Sequence, residues 1–169
     1  KDGKYVISDT EGYQTTYKDN LECAVGGHLV MMKDGVPEII SGTPYYRTAV
    51  GVNANGDLVI VQISDANYGA MVQVFMDLDM DITTVLNLDG GGSTTFVARQ
   101  PGDDELTIMN RPSDGYPRNV STNLLIYSTA PSSTAFDHAV IESEYDYATI
   151  NTPVQMSAAG VSPAGNAVD

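Results

Sequence analysis

The chain has 169 residues, 42% of them hydrophobic, and a formal net charge of −14. That length holds one ordinary domain plus a fragment, with enough apolar residues to bury a core. Charge of this sign argues against a nucleic-acid partner, and no apolar run reaches the roughly 18 residues of a membrane span.

Taken in chain order, residues 1–20 are polar with Asp-Gly and Glu-Gly turn signals, and Tyr5–Ile7 predicts a short strand. No signal peptide precedes Lys1, so any export signal is expected to have been removed or to lie outside this sequence. Cys23–Val25 and Leu29–Met32 read as strands, with Lys33-Asp34-Gly35 turning into a strand over Glu38–Ile40. Cys23 is the sole cysteine, which excludes an internal disulfide, and its apolar neighbours predict a buried structural thiol. Thr48–Val52 and Asp57–Ile63 flank Asn53-Ala54-Asn55-Gly56, a second hairpin signal built on the Asn-Gly pair that primed turns favour.

From Tyr68 to Met80 the period changes. Met71, Val74, Phe75 and Leu78 recur at helical spacing and predict a helix packed on the core. The acids of Asp77-Leu78-Asp79-Met80-Asp81 lack the glycine and closing glutamate of a calcium loop, so they read as a solvated helix end. Thr83–Leu88 is a β-branched apolar run that delivers Asp89 at a strand end, and Thr94–Ala98, Leu106–Met109 and Val120–Tyr127 read as further strands. Ser128 to Ala135 is small and polar, with a proline, and reads as a linker over residues 129–135. The tail, residues 136–169, looks like the first strands of an immunoglobulin-like module.

Two stretches carry the chemistry. Asn87-Leu-Asp-Gly-Gly-Gly-Ser-Thr-Thr95 places Asp89 before Gly90, Gly91 and Gly92. Consecutive glycines cost backbone entropy and pack nothing, so they imply positive φ or a close approach to the backbone. They leave room for a ligand and offer amides to an anion, with Ser93 and Thr94 adding hydroxyls; the competing reading is Asp89 capping its own turn. Asn110-Arg-Pro-Ser-Asp-Gly-Tyr-Pro-Arg-Asn-Val-Ser121 supplies Asp114, Ser121 and two of the four arginines, Arg111 and Arg118. Pro-x-Asp-Gly is also an ordinary turn sequence, which is the competing account of Asp114. Arg47 lies in Tyr46-Arg-Thr-Ala-Val-Gly-Val52. In so acidic a chain, arginines are the natural source of local positive charge, and a guanidinium fork matches phosphate geometry; pairing with structural aspartates is the alternative. Neither His28 nor His138 belongs to a Ser-His-Asp arrangement, and no cofactor or metal is expected.

These segments, with Ala24-Val-Gly-Gly27, resemble the phosphodiester glycosidase family over about residues 22–128. The resemblance implies a phosphodiester glycosidase-like domain in residues 1–128, and hydrolysis of the bond between a sugar's anomeric carbon and a phosphodiester oxygen. N-acetylglucosamine is the example sugar, in extracellular or cell-surface glycans. Asp89 is then the expected catalytic carboxylate, as nucleophile, base or oxocarbenium stabiliser. Asp65 or Asp114 is the open choice for a second. Arg47, Gly90, Gly91, Gly92, Ser93, Thr94, Arg111, Arg118 and Ser121 are the expected substrate contacts. An early Asn-Gly-Gly-Phe/Tyr-Phe segment usual in members is not found, so the sequence is expected to begin within the domain. The expected fold is α+β: a mixed, mainly antiparallel sheet with at least one packed helix, then a partial immunoglobulin-like β segment. The expected location is secreted or cell-surface. The alternatives are a non-catalytic carbohydrate- or cell-wall-binding module and a structural domain of a multidomain surface protein.

Overall fold

The computed structural model describes residues 3–168 apart from positions 104, 130, 144–146 and 148. Ala130 of the expected linker therefore lies outside the described residues. The structure consists of antiparallel sheets and one short packed helix, divided into two units. One runs up to Phe96 and includes Asn110–Leu124; the other joins Val97–Met109 to the chain from Leu125 onward.

In the first unit, strands β1 (Leu29–Lys33), β2 (Val36–Pro37), β3 (Tyr45–Asn53), β4 (Leu58–Ala66) and β5 (Ile82–Asn87) form one sheet in the order β2-β1-β5-β3-β4. Every strand pair among the described residues is antiparallel, so the sheet is not mixed. The first hairpin turns on Asp34 and Gly35, both left-handed at φ 50° and 76°, as a primed turn requires. Its second strand is Val36–Pro37 rather than Glu38–Ile40: past Pro37 the amides of Glu38 (2.8 Å) and Ile39 (3.4 Å) both donate to the one carbonyl of Met31, and the regular ladder stops. In the second hairpin, the Asn53 side chain organises the loop: its Oδ1 accepts from the amides of Asn55 (3.0 Å) and Asp57 (2.9 Å).

The predicted helix forms as α2 (Tyr68–Asp77), started by Asn67, whose Oδ1 accepts from the Ala70 amide at 2.8 Å. Met71, Val72 and Phe75 are its buried residues and pack with Met31, Met32, Ala49, Ile82 and Val85; Leu78 is half-buried against them. Gly51 makes room for this helix, since a Cβ there would fall 2.7 Å from the Phe75 ring. The acidic end at Asp77, Asp79 and Asp81 is exposed.

Local signals overreached in several places. Tyr5–Ile7 and Cys23–Val25 form no strand, and Cys23 is exposed rather than buried: it stands in an irregular segment where apolar neighbours gain no cover. Residues 10–20 are helical, with α1 (Thr10–Gly12) followed by a π turn (Tyr13–Tyr17) and a 3-10 turn (Lys18–Asn20). Asp9 caps this stretch by accepting from the Gly12 amide at 2.7 Å. Val120–Tyr127 forms no strand and is exposed.

The second unit holds a two-stranded ribbon, β6 (Val97–Ala98) with β7 (Thr107–Ile108). It also holds a three-stranded sheet of β8 (His138–Ser143), β9 (Met156–Val161) and β10 (Ala167–Val168), ordered β10-β9-β8. Val161 and Ser162 are buried there, and the Ser162 hydroxyl accepts from the Asn166 amide at 3.1 Å across the turn before β10. No helix among the described residues is long and apolar enough to cross a membrane.

Candidate active site

Strand β5 lies between β1 and β3, and its pairing with β3 persists one residue past its end, where the Leu88 amide donates to Thr48 O at 2.9 Å. The next residue, Asp89, is thereby presented at the rim of the sheet and is exposed. Its Oδ1 accepts from the Gly90 amide at 2.8 Å, so the self-capping contact exists. It occupies one carboxylate oxygen, and Asp89 takes part in no ion pair among the described residues.

After Asp89 the chain makes a 3-10 turn, Gly91–Ser93, entered with Gly91 at φ 63°. Each glycine is crowded by a different neighbour. A Cβ on Gly90 would fall 2.6 Å from the Tyr46 carbonyl oxygen, and one on Gly91 would fall 2.5 Å from the Tyr45 hydroxyl. One on Gly92 would strike the Arg118 guanidinium and come within 2.5 Å of Asp114 Oδ2. The triplet is therefore a crossing point for β3 and the Arg111–Arg118 loop. The two sequence motifs meet there.

Arg118 donates from Nε (3.0 Å) and Nη2 (2.6 Å) to Asp114 Oδ2. The side chains remain 50% and 29% exposed. The carboxylate, with smaller help from the Tyr116 and Tyr45 phenols, raises the Arg118 pKa above its ordinary value. A raised cation loses charge only as pH climbs past that higher value. Arg118 is therefore charged at every ordinary working pH.

Asn110 fastens the second motif to the first. Its Nδ2 donates to Thr94 O (2.9 Å) and its Oδ1 accepts from the Phe96 amide (2.6 Å). A side-chain amide thus takes the place of a strand partner, which is why the expected strand at Thr94–Ala98 shrinks to Val97–Ala98. Thr94 is 1% exposed and Asn87 5%; Thr94 Oγ1 and Asn87 Oδ1 are buried with no hydrogen-bond partner among the described residues.

None of the other expected contacts supplies the atoms nearest the glycines at this crossing, and Ser93 belongs to the turn itself. Arg47 is buried at 8% exposure. Its Nε donates to Ala66 O (2.6 Å), its Nη2 to Thr43 O (2.7 Å), and its guanidinium stacks 3.8 Å from the Tyr68 ring centroid. The register slips here, with one residue of β3, Tyr46, facing two of β4, Ser64 and Asp65, beside the Ala66 carbonyl. Asp65, within that bulge, is exposed, as are Arg111 and Ser121, while Ser93 is half-buried in the glycine turn. The cleft at the end of α2, lined by Phe75, Asp77, Asp79 and Asp81, shares no residue with either motif. Among the described residues no group of three His, Cys, Asp or Glu side chains is placed to hold a metal ion.

Sequence reasoning missed Tyr45, Tyr116 and the side chain of Asn110 as parts of this site. Asn110 and Tyr116 carried a signal, since both stand within the second motif. A family model described as phosphodiester glycosidase matches residues 1–127. The chain belongs to the phosphodiester glycosidase family. That match begins well before the segments at Ala24 and Tyr46 and covers both motifs. Family membership suggests glycosidase activity, a hydrolase reaction. No curated protein and no solved structure matches the chain.

Proposed function

We propose that the protein hydrolyses a sugar-1-phosphodiester, such as an N-acetylglucosamine 1-phosphodiester, in secreted or cell-surface glycans, with Asp89 as the carboxylate and Arg118 as the phosphate-binding cation. The reading rests on one observation: the Arg118–Asp114 pair lies on Gly92, three residues along the chain from an exposed Asp89 that forms no ion pair among the described residues. In the reaction, water adds to the anomeric carbon and the sugar–oxygen bond breaks, leaving the electron pair on a phosphomonoester. Arg118 stabilises charge gathering on the departing phosphate. Asp89 faces the opposite demand, stabilising or attacking the cationic anomeric centre or activating the water. Asp114 serves as the group that orients Arg118.

This assignment gives the phosphate to Arg118 and leaves Arg47 to its carbonyls and Tyr68. The β8-β9-β10 unit is proposed as the neighbouring immunoglobulin-like segment of a longer surface protein, supported by its antiparallel strands. The test is release of free sugar from an α-N-acetylglucosaminyl phosphodiester, comparing wild type with Asp89→Asn. Turnover by wild type and loss of at least about 100-fold in the variant is expected. Full activity in Asp89→Asn refutes the assignment, and binding without turnover in wild type moves the reading to a carbohydrate-binding module.

A further inference from the structure

Tyr45 opens β3 immediately before the register slip, and it is 55% exposed although it is a large aromatic residue beside a buried turn. Its ring lies on Gly91, with the hydroxyl and Cε1 at 2.5 and 2.7 Å from where a Cβ would stand. Arg118 lies on the next residue, Gly92, and the phenol is near enough to act electrostatically on the guanidinium.

Arg118 spends Nε and Nη2 on Asp114, and its Nη1 meets no acceptor among the described residues. The Tyr45 hydroxyl likewise has no hydrogen-bond partner among them. The Tyr45 phenol and the Arg118 guanidinium therefore sit over consecutive residues, whose Cα atoms are about 3.8 Å apart, and neither the phenol hydroxyl nor Nη1 is answered by an acceptor among the described residues. A tetrahedral oxyanion answers both, offering neighbouring non-bridging oxygens. In a chain of net charge −14, an anion held there needs such neutral and cationic donors together.

We infer that Tyr45 is a ligand-contact residue whose hydroxyl donates to a non-bridging phosphoryl oxygen of the phosphodiester held at Arg118. The inference deepens the proposed function and rests on it for the identity of the ligand, though not for the presence of an anion. The ring has a second role as cover for Gly91, so removing the whole side chain would confuse binding with packing. Tyr45→Phe removes the hydroxyl alone and keeps the ring.

The experiment is calorimetric titration of the full chain with inorganic phosphate and, separately, with neutral N-acetylglucosamine, for wild type, Tyr45→Phe and Arg118→Ala. Melting curves and sugar-release kinetics are taken in parallel. Tyr45→Phe is expected to weaken phosphate binding about tenfold, with no change in melting temperature or in binding of the neutral sugar. In turnover, KM rises by a similar factor while kcat changes less than about threefold. Phosphate affinity equal to wild type in Tyr45→Phe overturns the inference. So does an affinity loss that only tracks a fall in melting temperature, or a wild type that binds no phosphate. The two readings fail separately. Turnover with Tyr45-independent phosphate binding sinks the tyrosine alone, and Tyr45-dependent phosphate binding without turnover sinks the enzyme alone.

Discussion

Gly92→Ala is the sharpest perturbation available, because its consequence is steric and local. Gly92 is absent from the positive-φ glycines, so alanine fits its backbone conformation. The added Cβ would stand 2.5 Å from Asp114 Oδ2 and closer still to the Arg118 guanidinium. Ordinary contact is about 3.5 Å, so the ion pair must retreat by about 1 Å. It can do so cheaply, because the displaced atoms are the far ends of side chains that remain 50% and 29% exposed. Stability should change by less than about 1 kcal/mol, since alanine's lower unfolded-state entropy offsets part of the crowding. Catalysis should not be spared: displacing a charge-stabilising group by about 1 Å costs on the order of 100-fold in rate. The assay is sugar release from the phosphodiester beside a thermal melt. Gly26→Ala is the comparison, because a Cβ there meets nothing within 4 Å and needs no unusual φ. Gly92→Ala with wild-type kcat/KM and an unchanged melt would show that Arg118 need not rest on the glycine turn, and the assignment of Arg118 fails with it.

Phe75→Ala should lose about 3–5 kcal/mol, because the ring fills the space between Gly51 and Ile82 under α2; chemical denaturation measures it, and a loss under about 1 kcal/mol would contradict the core described above. Arg47→Met should destabilise by about 1–3 kcal/mol for each carbonyl left unanswered, while phosphate affinity in the folded protein stays within about twofold of wild type; a selective loss of phosphate binding would return Arg47 to the site. Exposed Cys23 should react with a thiol reagent in the native protein at a rate close to that of the unfolded chain. Reaction only after denaturation would mean the thiol is covered.

What the sequence made legible was local. The Asp34-Gly35 turn, the Asn-Gly loop after Asn53 and the Met71–Phe75 face each depend on neighbours within a few positions, and each appears where its signal stands. Sequence spacing also announced that something approaches the triple glycine. It did not say what, since Tyr45 and Tyr46 arrive through the sheet order and Arg118 through the loop that Asn110 fastens. Arg47 illustrates the same limit. Its type and motif were visible, but its fork bonds to carbonyls 4 and 19 residues away, exposed to it by a bulge that no composition rule marks. The failed strand at Val120–Tyr127 is the converse case: a suitable pattern with no partner strand beside it among the described residues.

Asp89 and Arg118 form no ion pair with each other among the described residues, and under the proposed function that separation serves a glycosyl phosphodiester. Had Asp89 paired with Arg118, the two would form an ordinary surface ion pair and the Asp89 carboxylate would be spent on it. Instead a backbone amide takes one oxygen of Asp89, and a second carboxylate, Asp114, orients the guanidinium. Asp114 engages Arg118 through one oxygen only, and Nη1 is left over among the described residues. Under the proposed function, a substrate with a negative phosphate and an anomeric carbon that turns positive at the transition state would meet the Arg118 guanidinium at one end and the Asp89 carboxylate at the other. Exchanging the signs tests this directly. An Asp89→Arg, Arg118→Asp double variant preserves the total charge but opposes the substrate's polarity at both ends. It should remain folded and lose all measurable turnover, whereas any retained activity would mean that polarity across this turn does not drive the chemistry.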